Sequence, residues 1–92
     1  MIASFRHKGL RRLVEKGERQ GVGAEMIARV EDVLSVLEAA ESVEEANIPG
    51  FRLHELKGNR KGLWSVTVSG NWRIVFRFED GAALDVDLVD YH

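Results

Sequence analysis

Three stretches alternate apolar and polar residues, and they constrain the fold more than anything else in the chain. They are Leu63 to Val68, Trp72 to Phe78 and Ala83 to Val89. A period of two belongs to strands with one packed face and one wet face. The links between them are short and contain Gly70-Asn71 and Asp80-Gly81, so neighbouring strands are expected to run antiparallel. Parity then sets the register. Trp64, Val66 and Val68 share a face with Trp72, Ile74, Phe76 and Phe78 if the first link has three residues, Ser69-Gly70-Asn71. A second link of the same length, Asp80-Gly81-Ala82, sets Phe76 opposite Val86, Ile74 opposite Leu88 and Arg77 opposite Asp85. One face is then apolar. The other carries Ser65, Thr67, Arg73, Val75, Arg77, Asp85 and Asp87, and is predicted to stay open to solvent or a ligand.

An apolar sheet face needs a cover, and the first half of the chain supplies one. Ile2 to Phe5 reads as a short edge strand. Leu10, Leu13 and Val14 recur at helical spacing within His7 to Lys16, and Gly17 ends the run. His7 is expected to face solvent. Ala24 to Ala40 is the clearest helix, with Met26, Ile27, Val30, Val33, Leu34 and Leu37 in one stripe. Ser42 is placed to cap a short turn through Ala46, and Asn47-Ile48-Pro49-Gly50 breaks the helical run. The expected class is α+β: a two-layer domain over residues 1–92, with an N-terminal strand and a helical hairpin packed on an antiparallel sheet. Hydrophobic residues make up 45% of the chain, enough for that core. No cysteine is present, which removes disulfides and thiolate metal sites. With no long apolar run and no signal-peptide pattern, the sequence reads as soluble and cytoplasmic, without a membrane partner.

The net charge is −2, but it is unevenly spread. Arg52 to Arg77 sums to +5, and Arg6 to Arg12 to +4. Glu79 to Asp90 sums to −5, and Glu31 to Glu45 to −6. Either these blocks neutralise one another across the fold or the basic ones form a small polyanion-binding patch. Arg77 is best explained by its acidic neighbours across the strand. Arg73 faces Val89, has no acid opposite, and can offer its guanidinium to a phosphate. His54 lies in the loop Phe51 to Gly62, which is dense in cations and glycine; it is a surface residue with Glu55 as its ion partner, or part of a site. The glycines between Gly17 and Gly23 lack the GxGxxG and P-loop patterns. The chain closes on Asp90-Tyr91-His92, a carboxylate, a phenol and an imidazole in a row. Asp-x-His can begin a metal site, but with His54 it gives too few ligands.

These residues carry a resemblance. Arg52-Leu53, Leu56-Lys57-Gly58-Asn59-Arg60, Gly62-Leu63-Trp64-Ser65-Val66, Asn71-Trp72-Arg73-Ile74, Phe76-Arg77-Phe78 and the closing Val89-Asp90-Tyr91-His92 resemble the HigB branch of the RelE toxin family. The likeness runs from about Phe51 to the end, and the first half matches in organisation only. It implies the RelE-like fold and the toxin of a type II toxin–antitoxin pair, neutralised by a HigA-like antitoxin. It further implies an endonuclease that cuts messenger RNA in the ribosomal A site without metal or other cofactor, which suits a net acidic chain positioned by the ribosome. By the same resemblance His54, Asp90, Tyr91 and His92 form the catalytic set. The two imidazoles, a group type that exchanges protons near neutrality, would be the proton-transfer pair, with base and acid unassigned. Asp90 would orient an imidazole, and Tyr91 would contact the ribose or stack. Lys57 and Arg73 would hold the scissile phosphate, Asn71 would read a base edge, and Arg60 and Lys61 would meet ribosomal RNA backbone. The other reading is a non-catalytic module of the same fold that binds RNA or an antitoxin without cutting.

Overall fold

A computed structural model of the chain describes residues 1–91. The sheet has four antiparallel strands in sequence order: β1 (His54–Glu55), β2 (Leu63–Ser69), β3 (Trp72–Glu79) and β4 (Ala82–Asp90). Two helices, α1 (Lys8–Lys16) and α2 (Ile27–Ala39), pack with the apolar face of this sheet in one core. Leu10 of α1, Val30, Val33 and Leu37 of α2, and Val66, Ile74, Phe76 and Val86 of the sheet are fully buried there. Trp64 and Trp72 pack against the same cluster, as expected from their register.

The expected registers are present, but by another route. Val66 lies opposite Ile74 and Ile74 opposite Leu88, as parity requires. Neither link has three residues, however. The first is Gly70-Asn71, with a register shift between Thr67 and Ser69. The second is Asp80-Gly81, with a shift between Val75 and Arg77. Each hairpin combines a two-residue turn with one extra residue inside a strand, a bulge, which adds up to the same offset. Asp80 and Gly81 both take positive φ, 51° and 77°, which a type I′ turn demands and which glycine accepts without strain. The second bulge leaves Phe76 without the expected partner Val86 in the register and shifts each pairing from there to the turn. Arg77 lies opposite Leu84, not Asp85, and Asp85 itself adopts φ 52°. The Arg77–Asp85 ion pair forms regardless, at 3.8 Å.

Other expectations shift in detail. The N-terminal stretch is not a continuous strand. It runs parallel to β4 and touches it through two isolated bridges, Ile2 with Ala83 and Phe5 with Val86, because the Asp85 bulge interrupts the edge between them. His7 is half-buried instead of solvent-facing, and its Nδ1 accepts the Leu10 N–H at 3.1 Å as the N-cap of α1. Val14 is 48% exposed, so Leu10 and Leu13 alone carry the helix into the core. The Ala24–Ala40 helix begins as a 3₁₀ turn, Ala24–Met26, and is α-helical from Ile27. Its stripe from Met26 to Leu37 is buried throughout. Gly9 of α1 lies against Gly21. A Cβ on Gly9 would sit 2.5 Å from the Gly21 carbonyl oxygen, so these glycines let the backbones touch.

Candidate functional site

The open face of the sheet is less open than its alternation predicts. Ser65 and Val75 are both buried, because the segment between Phe51 and Gly62 folds over them. That segment is pinned by Arg29, which reaches across from α2. Its guanidinium donates to the carbonyls of Gly50 and of Thr67, and lies 4.7 Å from the centre of the buried Phe51 ring. Phe51 in turn accepts the Thr67 N–H at 2.8 Å. Arg52 follows with φ 54°, and the chain then enters the sheet as β1, where His54 pairs with Ser65 and Glu55 with Trp64. His54 is therefore on a short strand, not in a loop. Leu56, buried and bonded through its N–H to the Leu63 carbonyl, closes the anchor.

A cavity of about 630 Å³ opens between this segment and the sheet. Arg52, His54, Lys57, Arg73 and Tyr91 line it, over a floor that includes Ser65 and Thr67. Among the described residues three cations and no carboxylate face it. Among the described residues none of the three takes part in an ion pair, whereas Arg77 on the same face of the sheet is held by Glu79 and Asp85. Arg73 donates from Nη1 to the carbonyls of Gly70 at 2.7 Å and Trp72 at 3.1 Å. Those bonds fix its direction and leave Nε and Nη2 without a partner among the described residues. A fixed guanidinium with two unused nitrogens suits a bidentate oxyanion. The imidazole of His54 and the phenol of Tyr91 add proton-exchanging groups to the same space.

The structure therefore brings His54, Lys57, Arg73 and Tyr91 together. It separates others. Asp90 lies opposite Trp72, on the helix-facing side by alternation, and does not line the cavity. Asn71 is exposed on the β2–β3 turn, where its carbonyl accepts the Tyr91 N–H at 2.7 Å and ties down the C-terminal end. Arg60 sits 5.1 Å from the centre of the Tyr91 ring. Arg60 and Lys61 line an adjoining cavity rather than this one. His92 lies outside the described residues. Sequence reasoning counted the charge of Arg52 without assigning it to the site, and gave no role to Arg29. Arg52 was legible as part of the basic block; Arg29 left no signal, since it reads as a polar residue off a helical stripe. Among the described residues no helix is long and apolar enough to cross a membrane.

Comparison with known proteins points one way. A family model described as "RelE-like toxin of type II toxin-antitoxin system HigB" matches residues 3–92. The chain is 47% identical over 92 residues to Endoribonuclease HigB of Proteus vulgaris, covering all of both chains. It is 32% identical over 93 residues to Toxin HigB-1 of Vibrio cholerae serotype O1, covering 96% of this chain and 95% of the relative.

Proposed function

The chain belongs to the HigB-like family of RelE-like type II toxins, and from that premise we propose that it is an endoribonuclease that cuts messenger RNA in the ribosomal A site. Its 92 residues act as one toxin domain in the cytoplasm, held inactive by a cognate HigA-like antitoxin. The observation that carries the reading is the cavity where Arg52, His54, Lys57, Arg73 and Tyr91 meet. It gathers positive charge and proton-exchanging groups around a space for one phosphodiester.

RNA carries its own nucleophile. The ribose 2′-oxygen attacks the adjacent phosphorus, the P–O5′ bond breaks, and the products end in a 2′,3′-cyclic phosphate and a 5′-hydroxyl. One group takes the 2′-OH proton and another gives a proton to the departing O5′. His54 and His92 are the pair we assign to these transfers, with Asp90 orienting an imidazole. Arg73 and Lys57 hold the phosphate as charge builds on its equatorial oxygens, a stabilisation that grows toward the transition state. Arg52 adds to the same field. Tyr91 contacts the ribose or stacks on the neighbouring base, and Asn71 at the turn reads a base edge. All charge stabilisation and proton movement here comes from side chains, so no metal enters a step.

The test is brief induction in growing cells, with mapping of messenger 5′ ends, for the wild type and for the Lys57→Ala/His92→Ala double variant. New ends within codons, absent from the double variant, are expected. Cutting by the double variant would show that the site is wrong. A wild-type protein that leaves cells unharmed and translation extracts intact would favour a binding module without catalysis. Activity on naked RNA that chelator abolishes would replace this chemistry with a metal-dependent one.

A further inference from the structure

The overhang is anchored at its base and hardly at all at its tip. Arg29 and the buried Phe51 hold its start, and its last buried residue is Leu56, whose N–H meets the Leu63 carbonyl at 2.8 Å. The six residues which that bond closes off, 57–62, are all exposed. Gly58 and Gly62 bracket the turn with φ of 72° and 94°, and a Cβ added at either would meet nothing within 4 Å. The backbone bonds of the tip stay inside it. The Arg60 N–H reaches the Lys57 carbonyl at 3.4 Å, and the Lys61 N–H reaches that of Gly58 at 3.1 Å. A segment with few buried contacts and exposed backbone bonds opens easily.

One side chain of the tip reaches out of it. The guanidinium of Arg60 lies 5.1 Å from the centre of the Tyr91 ring. Among the described residues it forms no ion pair and no hydrogen bond, and no other side chain of residues 57–62 makes a hydrogen bond, ion pair or ring contact. Tyr91 stands in a similar position. It follows the last paired residue of β4, its side of the chain is 37% exposed, and its N–H is tied to the Asn71 carbonyl while its ring contact is Arg60. Two groups that line the cationic cavity, Lys57 and Tyr91, therefore sit at loosely held points of the chain. Arg60 shares a turn with the first and lies over the second. A cation that served only the ribosomal RNA backbone would need to point outward; this one is turned back onto a ring of its own chain.

We propose that Arg60 is a positioning residue for the cutting reaction: lying over the Tyr91 ring, it latches the tip of the overhang to the end of β4 and so holds Lys57 and Tyr91 at one phosphodiester. The inference rests on the RNA-cutting function above. A ring has two faces. The guanidinium takes one and leaves the other for the ribose or a base. An exposed cation–π contact is weak, so the latch favours the assembled cavity by roughly two- to fivefold and adds little to the stability of the whole domain.

Tyr91 is the one tyrosine of the chain, so its ring signals are unambiguous in NMR spectra of the full protein. The Arg60 methylene protons beside the guanidinium should be shifted upfield by the ring. Tyr91→Phe should keep that shift, and Tyr91→Leu should abolish it and move the amides of residues 57–62. Cutting of a defined message is then measured while the concentration of programmed ribosomes is varied. Arg60→Ala should lower kcat by roughly two- to fivefold with KM held, and Arg60→Lys should recover part of the loss. The loss should persist in a Tyr91→Phe background, where the ring remains, and vanish in Tyr91→Leu. An Arg60 side chain without the upfield shift would overturn the proposal. So would a loss confined to KM and sensitive to salt, which would give Arg60 to the ribosomal RNA, or a kcat that Arg60→Ala leaves unchanged. If the wild type cuts no RNA, the function proposed above falls, and the ring shift still decides the latch.

Discussion

The two sides of the sheet are built on different terms. On the helix side, alternate residues of three strands meet the stripes of α1 and α2, and Phe76, Ile74, Val66 and Val86 have essentially no exposed surface. On the other side the same alternation yields Ser65, Thr67, Arg73 and Asp87, covered not by an element with its own period but by an irregular overhang from Phe51 to Gly62. Groups on the helix side are used up by each other. Several on the loop side are not: among the described residues Arg52, Lys57 and Arg73 lack ion partners, and Asp87 uses one oxygen of two. A side whose charges are not consumed by the fold is the side left for a ligand. Stability should therefore reside with the helices and activity with the overhang, and the two should separate by mutation.

The largest effect tests the first half of that statement. Phe76→Ala removes a ring from the centre of the core and should cost about 3–5 kcal/mol, read from urea unfolding. Cleavage per folded molecule should hold in mild conditions; a core variant that stays folded yet stops cutting would undo the separation. Lys57→Ala tests the other half. Cleavage of a defined message on ribosomes should slow by about 10²–10³-fold. Because Lys57 is exposed and its side chain has no hydrogen bond or ion pair among the described residues, unfolding free energy should move by less than about 0.5 kcal/mol. A fall in melting temperature matching the loss of rate would make Lys57 structural.

The same division explains what was legible in the sequence. Periodicity reports burial on a regular element, so the three long strands, the Met26–Leu37 stripe and the register of Ile74 with Leu88 were all readable from residue types. The bulges were not, because a two-residue turn plus one extra residue gives the same parity as a three-residue link; the register shifts at Thr67/Ser69 and Val75/Arg77 reveal them, the second with Asp85 at φ 52°. The overhang has no period to read. Its residue types indicated chemistry, and resemblance supplied roles for His54 and Lys57, but that Arg52 would line the cavity under Arg73 with them, while Lys61 meets them only in a shallower neighbouring one, depends on how the chain turns after Gly50. Asp90 shows the limit from the other direction: its adjacency to Tyr91 in sequence is what puts the two on opposite sides of a strand.

Arg29 is where the two sides are joined, and it sharpens the comparison at intermediate size. Its bonds to Gly50 and Thr67 and its position over Phe51 link a packed helix to the base of the overhang. Arg29→Met should cost about 1–2 kcal/mol from these contacts. It should also slow cleavage by roughly tenfold or more, since a small displacement of His54 and Lys57 is enough to spoil alignment. Arg29→Lys should recover part of the stability and little of the rate, because an ammonium cannot span both carbonyls and the ring. Stability lost with cleavage unchanged would mean that β1 holds its position without help from the helix.

Arg77 should give the smallest effect, and it is the most pointed control. It is the cation on the loop side that the fold does consume, paired with Glu79 and with Asp85 beside the bulge. All three are about half exposed, so the pairs compete with water and are screened by salt. Arg77→Ala should lower stability by less than about 1 kcal/mol, and the difference should shrink further when unfolding is repeated in high salt. Its guanidinium lies outside the cationic cavity, so the rate of cutting should follow the wild type closely. A cost well above that, insensitive to salt, would mean that charge on this side holds the Asp85 bulge in place. The unpaired state of Arg52, Lys57 and Arg73 would then stand out against a structural ion-pair network, not against a surface where pairing hardly matters.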